Sequence, residues 1–223
     1  MNISENLKEI KSTLPSDVTL IAVSKTKPVD DIMEAYNAGH RNFGENKIQE
    51  MESKWETLPK DIKWHMIGHV QRNKVKYMAP FVSLIHGVDS FKLLKEINKQ
   101  AIKNNRVIEC LLQIKIADED SKFGMNLADA SSLLDSEEYK DLGAIKVVGL
   151  MGMATFTDDE NQISNEFKSL KNTFNSFKTQ FSNDNTDLRI LSMGMSGDYK
   201  IALKNGSNMI RVGSAIFGER NYN

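Results

Sequence analysis

Residues 22–28 read Ala-Val-Ser-Lys-Thr-Lys-Pro and follow the apolar pair Leu20-Ile21. Lys25 and Lys27 therefore stand just past the end of what reads as a buried strand. A lysine there ordinarily marks the return to solvent; held over a pocket, it becomes a reactive amine able to condense with a carbonyl. On an extended segment both side chains point the same way, so spacing alone does not choose between them. A second chemistry, anion binding, is written near the other end of the chain. In Ser-Met-Gly-Met-Ser-Gly-Asp, residues 192–198, glycines at 194 and 197 alternate with the hydroxyls of Ser192 and Ser196 ahead of a short helical pattern at Tyr199–Leu203. Free backbone N–H groups at a helix start attract phosphate. Val212-Gly213-Ser214 repeats the idea, with Gly213 permitting close backbone approach. Arg211 lies inside the last apolar run; a guanidinium there stays charged and must pair or meet a ligand.

Other nominations carry less. His65 and His69 have metal-ligand spacing, but Gly68 lies between them and no third ligand follows, so hydrogen-bonding or surface roles are expected. Asp118–Lys122 lacks the glycine and terminal glutamate of a calcium loop. No glycine-rich nucleotide motif occurs. The basic cluster at Arg72–Lys76 reads as a solvated face. Cys110, the only cysteine, sits in an apolar run and reads as core; it permits no intrachain disulfide and suits a reducing compartment.

The 223 residues are 40% hydrophobic and 26% charged, which implies a packed core. With 29 basic against 30 acidic residues the formal net charge is -1, so nothing global draws the chain to nucleic acid or anionic lipid. The polar, amphipathic start is unlike a signal peptide, and no stretch approaches a membrane span; a cytoplasmic protein is expected.

These groups need a scaffold. Short apolar runs recur at Leu20–Val23, Asn42–Phe43, Ile62–Ile67, Val82–Val88, Val107–Ile116, Ile145–Met151, Leu188–Met193 and Met209–Val212. Most precede a helical pattern. The clearest spans Asp158–Phe181, where Ile163, Phe167, Leu170, Phe174, Phe177 and Phe181 repeat at steps of three and four and form a core-facing stripe. Others fall at Val29–Ala38, after Ser90, at Leu127–Leu134 and at Tyr199–Leu203. Alternating strands and helices without a Pro/Gly-rich linker imply a parallel sheet. An open doubly wound sheet and a closed barrel both fit; eight strands favour an α/β fold of the (β/α)8 TIM type, with an extra N-terminal helix, as a single domain over residues 1–223. Barrel sites gather at the C-terminal strand ends, commonly with phosphate after strands seven and eight. Lys25, Asn46, His65, Ser196 and Gly213 all fall at such ends.

The segments AVSKTKP, FGEN, WHMIGHVQRNK, DSKFGM, GLMGM, LSMGMSGDYKIAL and IRVGSAIFG occur in the order found in the pyridoxal-phosphate homeostasis protein family (the YggS/PROSC family), which the chain resembles over nearly its whole length. The resemblance implies a barrel like the N-terminal domain of alanine racemase, holding pyridoxal 5′-phosphate as a Schiff base on Lys25. It implies further cofactor contacts from Asn46, Ser192, Gly194, Arg211, Gly213 and Ser214, with Ser196 added by the phosphate-loop pattern above, and nominates Lys122 as a secondary amine for capture or transfer. No metal is implied. The implied role is intracellular vitamin B6 and amino-acid homeostasis, with apo pyridoxal-phosphate enzymes as cofactor acceptors. No helix face is left conspicuously apolar after core assignment, so a monomer or weak dimer is expected, with the sequence not choosing between them. Turnover is not implied. An arginine at the pyridine nitrogen makes the ring a weak electron sink, and racemisation needs an acid/base on each face of the substrate. A low-rate amino-acid racemase or other pyridoxal-phosphate enzyme is the alternative, and an aldolase-type barrel is a third class.

Overall fold

The structure is a computed structural model that describes residues 2–117 and 123–219. Eight strands run β1 (Thr19–Val23), β2 (Asn42–Glu45), β3 (Lys63–Met66), β4 (Leu84–Val88), β5 (Ile108–Gln113), β6 (Ile145–Met151), β7 (Thr186–Ser192) and β8 (Met209–Val212). Each pairs in parallel with the next, and β1 pairs with β8, from Thr19 opposite Met209 to Ala22 opposite Val212. The sheet is therefore a closed eight-stranded barrel, as the strand count predicts.

The helices are α1 (Ile3–Ser12), α2 (Val29–Asn37), α3 (Ile48–Thr57), α4 (Val75–Met78), α5 (Phe91–Lys103), α6 (Leu127–Asp135), α7 (Glu137–Lys140), α8 (Glu160–Gln180), α9 (Tyr199–Lys204) and α10 (Ser214–Phe217). The expected extra helix is α1, which buries Ile3, Leu7 and Ile10. The α8 start is fixed by Asp159, whose carboxylate accepts from the N–H groups of Asn161 and Gln162. All six residues of its apolar stripe are buried. The sequence reading did not nominate α3, α4, α7 or α10. α3 is rich in charge, and one of its buried residues is a lysine, Lys54, so its apolar repeat is thin. No helix among the described residues is long and apolar enough to cross a membrane.

Alternate strand residues go to two apolar clusters. The larger lies between sheet and helices and takes Leu20, Ala22, Ile85 and Leu112; the smaller takes Ile21, Leu84, Leu111, Val148, Met151 and Met209. Period-two alternation makes the smaller cluster the barrel interior. Two residues further along four strands, on that same inward face, the side chains become polar. Leu84 is followed by His86, Leu111 by Gln113, Ile190 by Ser192 and Met209 by Arg211, all four polar groups buried. The barrel thus has an apolar lower layer and a polar upper one, which forms the floor beneath the strand ends. Its closure depends on Gly149. A Cβ there would lie 1.8 Å from the Ile190 carbonyl oxygen, so only glycine lets β6 and β7 approach this closely, next to a register shift between the two strands.

Candidate functional site

At the end of β1 the ladder continues one residue, with Ser24 N–H donating to the Gly44 carbonyl. The chain then turns. Thr26 has a φ of 64° and Lys27 N–H closes back on the Ser24 carbonyl. This turn brings both Lys25 and Lys27 to one cavity of about 490 Å3 over the barrel mouth. The structure gives Lys27 two backbone partners. The Lys27 ammonium donates to the carbonyls of Phe217 (2.8 Å) and Glu219 (3.1 Å), strapping the β1 turn to the segment after α10. Lys25 is half-buried in the cavity wall.

The opposite wall comes from the β7 and β8 ends. Gly194 has a φ of 97°, and a Cβ there would lie 2.7 Å from that of Ala202, so the turn into α9 requires glycine. The Gly194 carbonyl accepts from Arg211 N–H, and Gly213 N–H donates to Ser196 Oγ at 3.1 Å. The two glycine–serine loops are thus tied into one donor-rich wall. Six sequence-nominated residues line the cavity: Lys25, Asn46, Ser196, Arg211, Gly213 and Ser214. Ser192 and Gly194 stand behind the wall and shape it through Arg211. Lys122 lies outside the described residues.

Arg211 is 3% exposed, and the guanidinium is held by Ser192 Oγ (2.7 Å) and the Gly152 carbonyl (3.1 Å). Ser192 Oγ also meets His86 Nδ1 at 3.0 Å, and His86 Nε2 meets His65 Nδ1 at 3.1 Å. Arginine only donates, so Ser192 Oγ accepts from Arg211; the hydroxyl keeps a second lone pair and its own O–H, so with neutral imidazoles the chain can run from Ser192 to His65 or from His65 to Ser192. Burial brings Arg211 down to about 10, with Asp198 pulling it back up, so it remains a cation at neutral pH. Burial also pushes His65 down to about 3, helped by Lys63 and His40. His86 falls well below its ordinary value through burial, His65 and Arg211. The floor therefore presents one fixed positive charge on a neutral chain.

The imidazole of His65 is expected to show no titration between pH 8 and 5 in heteronuclear NMR; a midpoint near 6.5 overturns the neutral chain. Its folded value lies below the ordinary 6.5, so its contribution to stability is present above about pH 6.5 and is lost as pH falls toward 3.

His69 does not join His65. It is exposed, stacks on Phe123 at 4.3 Å and pairs with Asp89 at 3.2 Å, and no metal-binding group of three acids, cysteines or histidines occurs among the described residues. Cys110 is wholly buried and its thiol is pushed up by burial, consistent with core packing. Sequence reasoning missed the loop after β6. Thr155, Phe156 and Asp158 line the cavity, and Glu166 of α8 holds Thr155 through both its N–H and its hydroxyl. It also missed the buried Ser24–Glu45–Lys54 cluster beneath the β1 turn; the signal was the Glu50/Lys54 pair one helical turn apart.

An eightfold parallel barrel whose mouth gathers a lysine, a buried arginine and two glycine–serine loops defines a class, and comparison agrees: the chain belongs to the family described as alanine racemase, N-terminal domain, which matches residues 1–221. Within it the chain falls among the pyridoxal phosphate homeostasis proteins. It is 37% identical over 205 residues to the protein of that name from Aquifex aeolicus, covering 91% of this chain and 87% of the relative. It is 36% identical to the one from Vibrio alginolyticus, covering 99% of each. Among solved structures, PipY of Synechococcus elongatus without PLP superposes with a TM-score of 0.91 at 34% identity, covering 97% of this chain and all of PipY. PipY with PLP bound superposes at 0.87 and 33% identity.

Proposed function

We propose that the chain binds pyridoxal 5′-phosphate in the cavity at the barrel mouth, with Lys25 as covalent anchor, and serves vitamin B6 and amino-acid homeostasis by holding and releasing it. The observation that carries this reading is the convergence of Lys25, Arg211 and the Ser196/Gly213/Ser214 wall on one cavity of about 490 Å3. The donor set fits the group: an amine for an aldehyde, hydroxyls and backbone N–H for a phosphate, and a permanent cation between them. Bound there, the cofactor supplies an aldehyde that a primary amine takes up reversibly.

The chain's own residues divide the remaining work. Ser196, Gly213 and Ser214 would hold the phosphate, and Asn46 flanks the cavity from the β2 end. Arg211 stays charged and offers no basic atom, so it fixes charge on the floor without accepting a proton. Lys27 is committed to two carbonyls and braces the turn. This division favours retention over turnover. Lys122 as a second amine, a cytoplasmic location and apo-enzymes as acceptors belong to the same proposal.

The test mixes the loaded protein with an excess of an apo pyridoxal-phosphate enzyme and follows both the visible band and the recovered activity. Transfer faster than release into buffer is the expected result. Transfer no faster than free dissociation reduces the role to buffering, and no transfer over hours removes the carrier role.

A further inference from the structure

Glu45 ends β2 with none of its surface exposed. Its Oε1 accepts from Ser24 Oγ at 2.6 Å and from Lys54 Nζ at 2.8 Å, while the equally buried Oε2 has no partner. Lys54, from α3, has an 8% exposed side chain and uses two further N–H groups on the Ser24 carbonyl (2.8 Å) and on Glu50 Oε1 (2.7 Å). Glu50 Oε1 in turn accepts from Thr26 N–H at 2.5 Å. The residue before Lys25 is therefore held by hydroxyl and carbonyl, and the residue after it by its N–H. Thr26 is β-branched with a φ of 64°, a conformation such residues rarely adopt and keep only where surrounding contacts over-determine it.

We propose that Glu45 is the positioning residue for Lys25: through Ser24 and Lys54 it locks the strained Ser24–Thr26 turn so that the amine stands at the cavity. This rests on the reading of Lys25 as the cofactor's anchor. Two observations support it beyond the contact list. A wholly buried carboxyl with one unpartnered oxygen is an unfavourable arrangement, and replacing such buried ionic groups by apolar ones is often neutral or stabilising; the group is then better explained by what it orients than by what it stabilises. Burial also raises Glu45 to about 7, against the lowering influence of Lys54 and of the Ser24 hydrogen bond, with Glu50 adding to the rise. From β3, the residue in register with Glu45 is Met66, which carries no charge. The ionic groups acting on the carboxyl thus come from α3, and the turn bearing Lys25 is what they enclose.

The experiment uses the full chain free of cofactor, with pyridoxal 5′-phosphate as probe. Borohydride is added at timed intervals, and the fraction of Lys25 labelled is read by mass spectrometry beside the thermal midpoint. Glu45→Met, which removes the acceptor, is expected to slow labelling at least tenfold. Glu45→Gln, which keeps an oxygen for Ser24 and Lys54, is expected to recover most of the rate. Ser24→Ala, which cuts only the link from Glu45 to the residue before Lys25, is expected to slow labelling several-fold with little change in midpoint, and it decides the matter if Glu45→Met does not fold. An unchanged rate in Glu45→Met or in Ser24→Ala overturns the positioning role, as does Glu45→Gln being as slow as Glu45→Met. Absence of label on Lys25 in the unsubstituted chain instead overturns the anchor assignment.

Discussion

Lys25→Ala abolishes borohydride-fixable pyridoxal phosphate on this chain, while Lys27→Ala leaves it in place; that is the expected result for the two lysines of the β1 turn. Both line the cavity, so proximity does not distinguish them. The family resemblance chooses Lys25, and the structure gives Lys27 a bracing role. The Lys27 ammonium is spent on the carbonyls of Phe217 and Glu219, contacts that brace the mouth and whose loss costs about 1 kcal/mol of stability. A condensing amine must spend part of its time neutral. The measurement is the visible spectrum before and after borohydride, followed by peptide mapping of the label. A Lys25→Ala chain that still carries a fixed label on Lys27, with the same band, overturns the assignment.

Gly149→Ala carries the largest expected effect on stability. The added methyl meets the Ile190 carbonyl oxygen at 1.8 Å and its carbon at 2.7 Å. Those are backbone atoms of a neighbouring barrel strand, so no side-chain rotation relieves the contact, and β6 and β7 must separate. Overpacking among side chains already costs about 1–3 kcal/mol. A backbone clash belongs at or above the upper end, and ~3 kcal/mol corresponds to a fall of roughly 6–12 °C in thermal midpoint for a chain of this size. Ser192 lies two residues beyond Ile190, so its hold on Arg211 shifts too and cofactor retention weakens with stability. Gly143→Ala, where a Cβ meets nothing within 4 Å, is the matched control and is expected to change the midpoint little. A midpoint for Gly149→Ala within about 2 °C of the parent overturns this account of the β6–β7 seam.

The barrel was legible because buried parallel strands announce themselves as short apolar runs. Even the weakest, Asn42–Phe43, marked a real strand, which the structure extends through Gly44 to Glu45. The extension escaped notice because a glycine and a buried acid do not look like strand residues. The site was legible where chemistry concentrates in a few adjacent residues, as in the turn bearing Lys25, the glycine–serine loops and Arg211. It was not legible where function depends on long-range pairing. Nothing in the sequence says that Ser192 bonds His86 across 106 residues, or that Ser24 bonds Glu45 across 21. The loop after β6 was missed for another reason: Phe156 is 97% exposed at the cavity rim, and an exposed aromatic has no periodic signature.

The seam between β1 and β8 has a consequence for how the protein comes into being. Lys25 follows the first strand, while Arg211 belongs to the last, and Lys27 reaches Phe217 across 190 residues of sequence. Asn6 of α1 bridges 210 residues to the Ile216 carbonyl. Contacts of such separation form only after the chain has lost most of its freedom, which makes them late events in folding. A partly folded chain has strand ends but no cavity. On the proposed function, the cavity that takes pyridoxal phosphate exists only once this seam is closed, and binding there draws the population toward the closed barrel by mass action. Supply of the vitamin and survival of its keeper would then be coupled: a cell short of the cofactor would hold this protein in its less stable form.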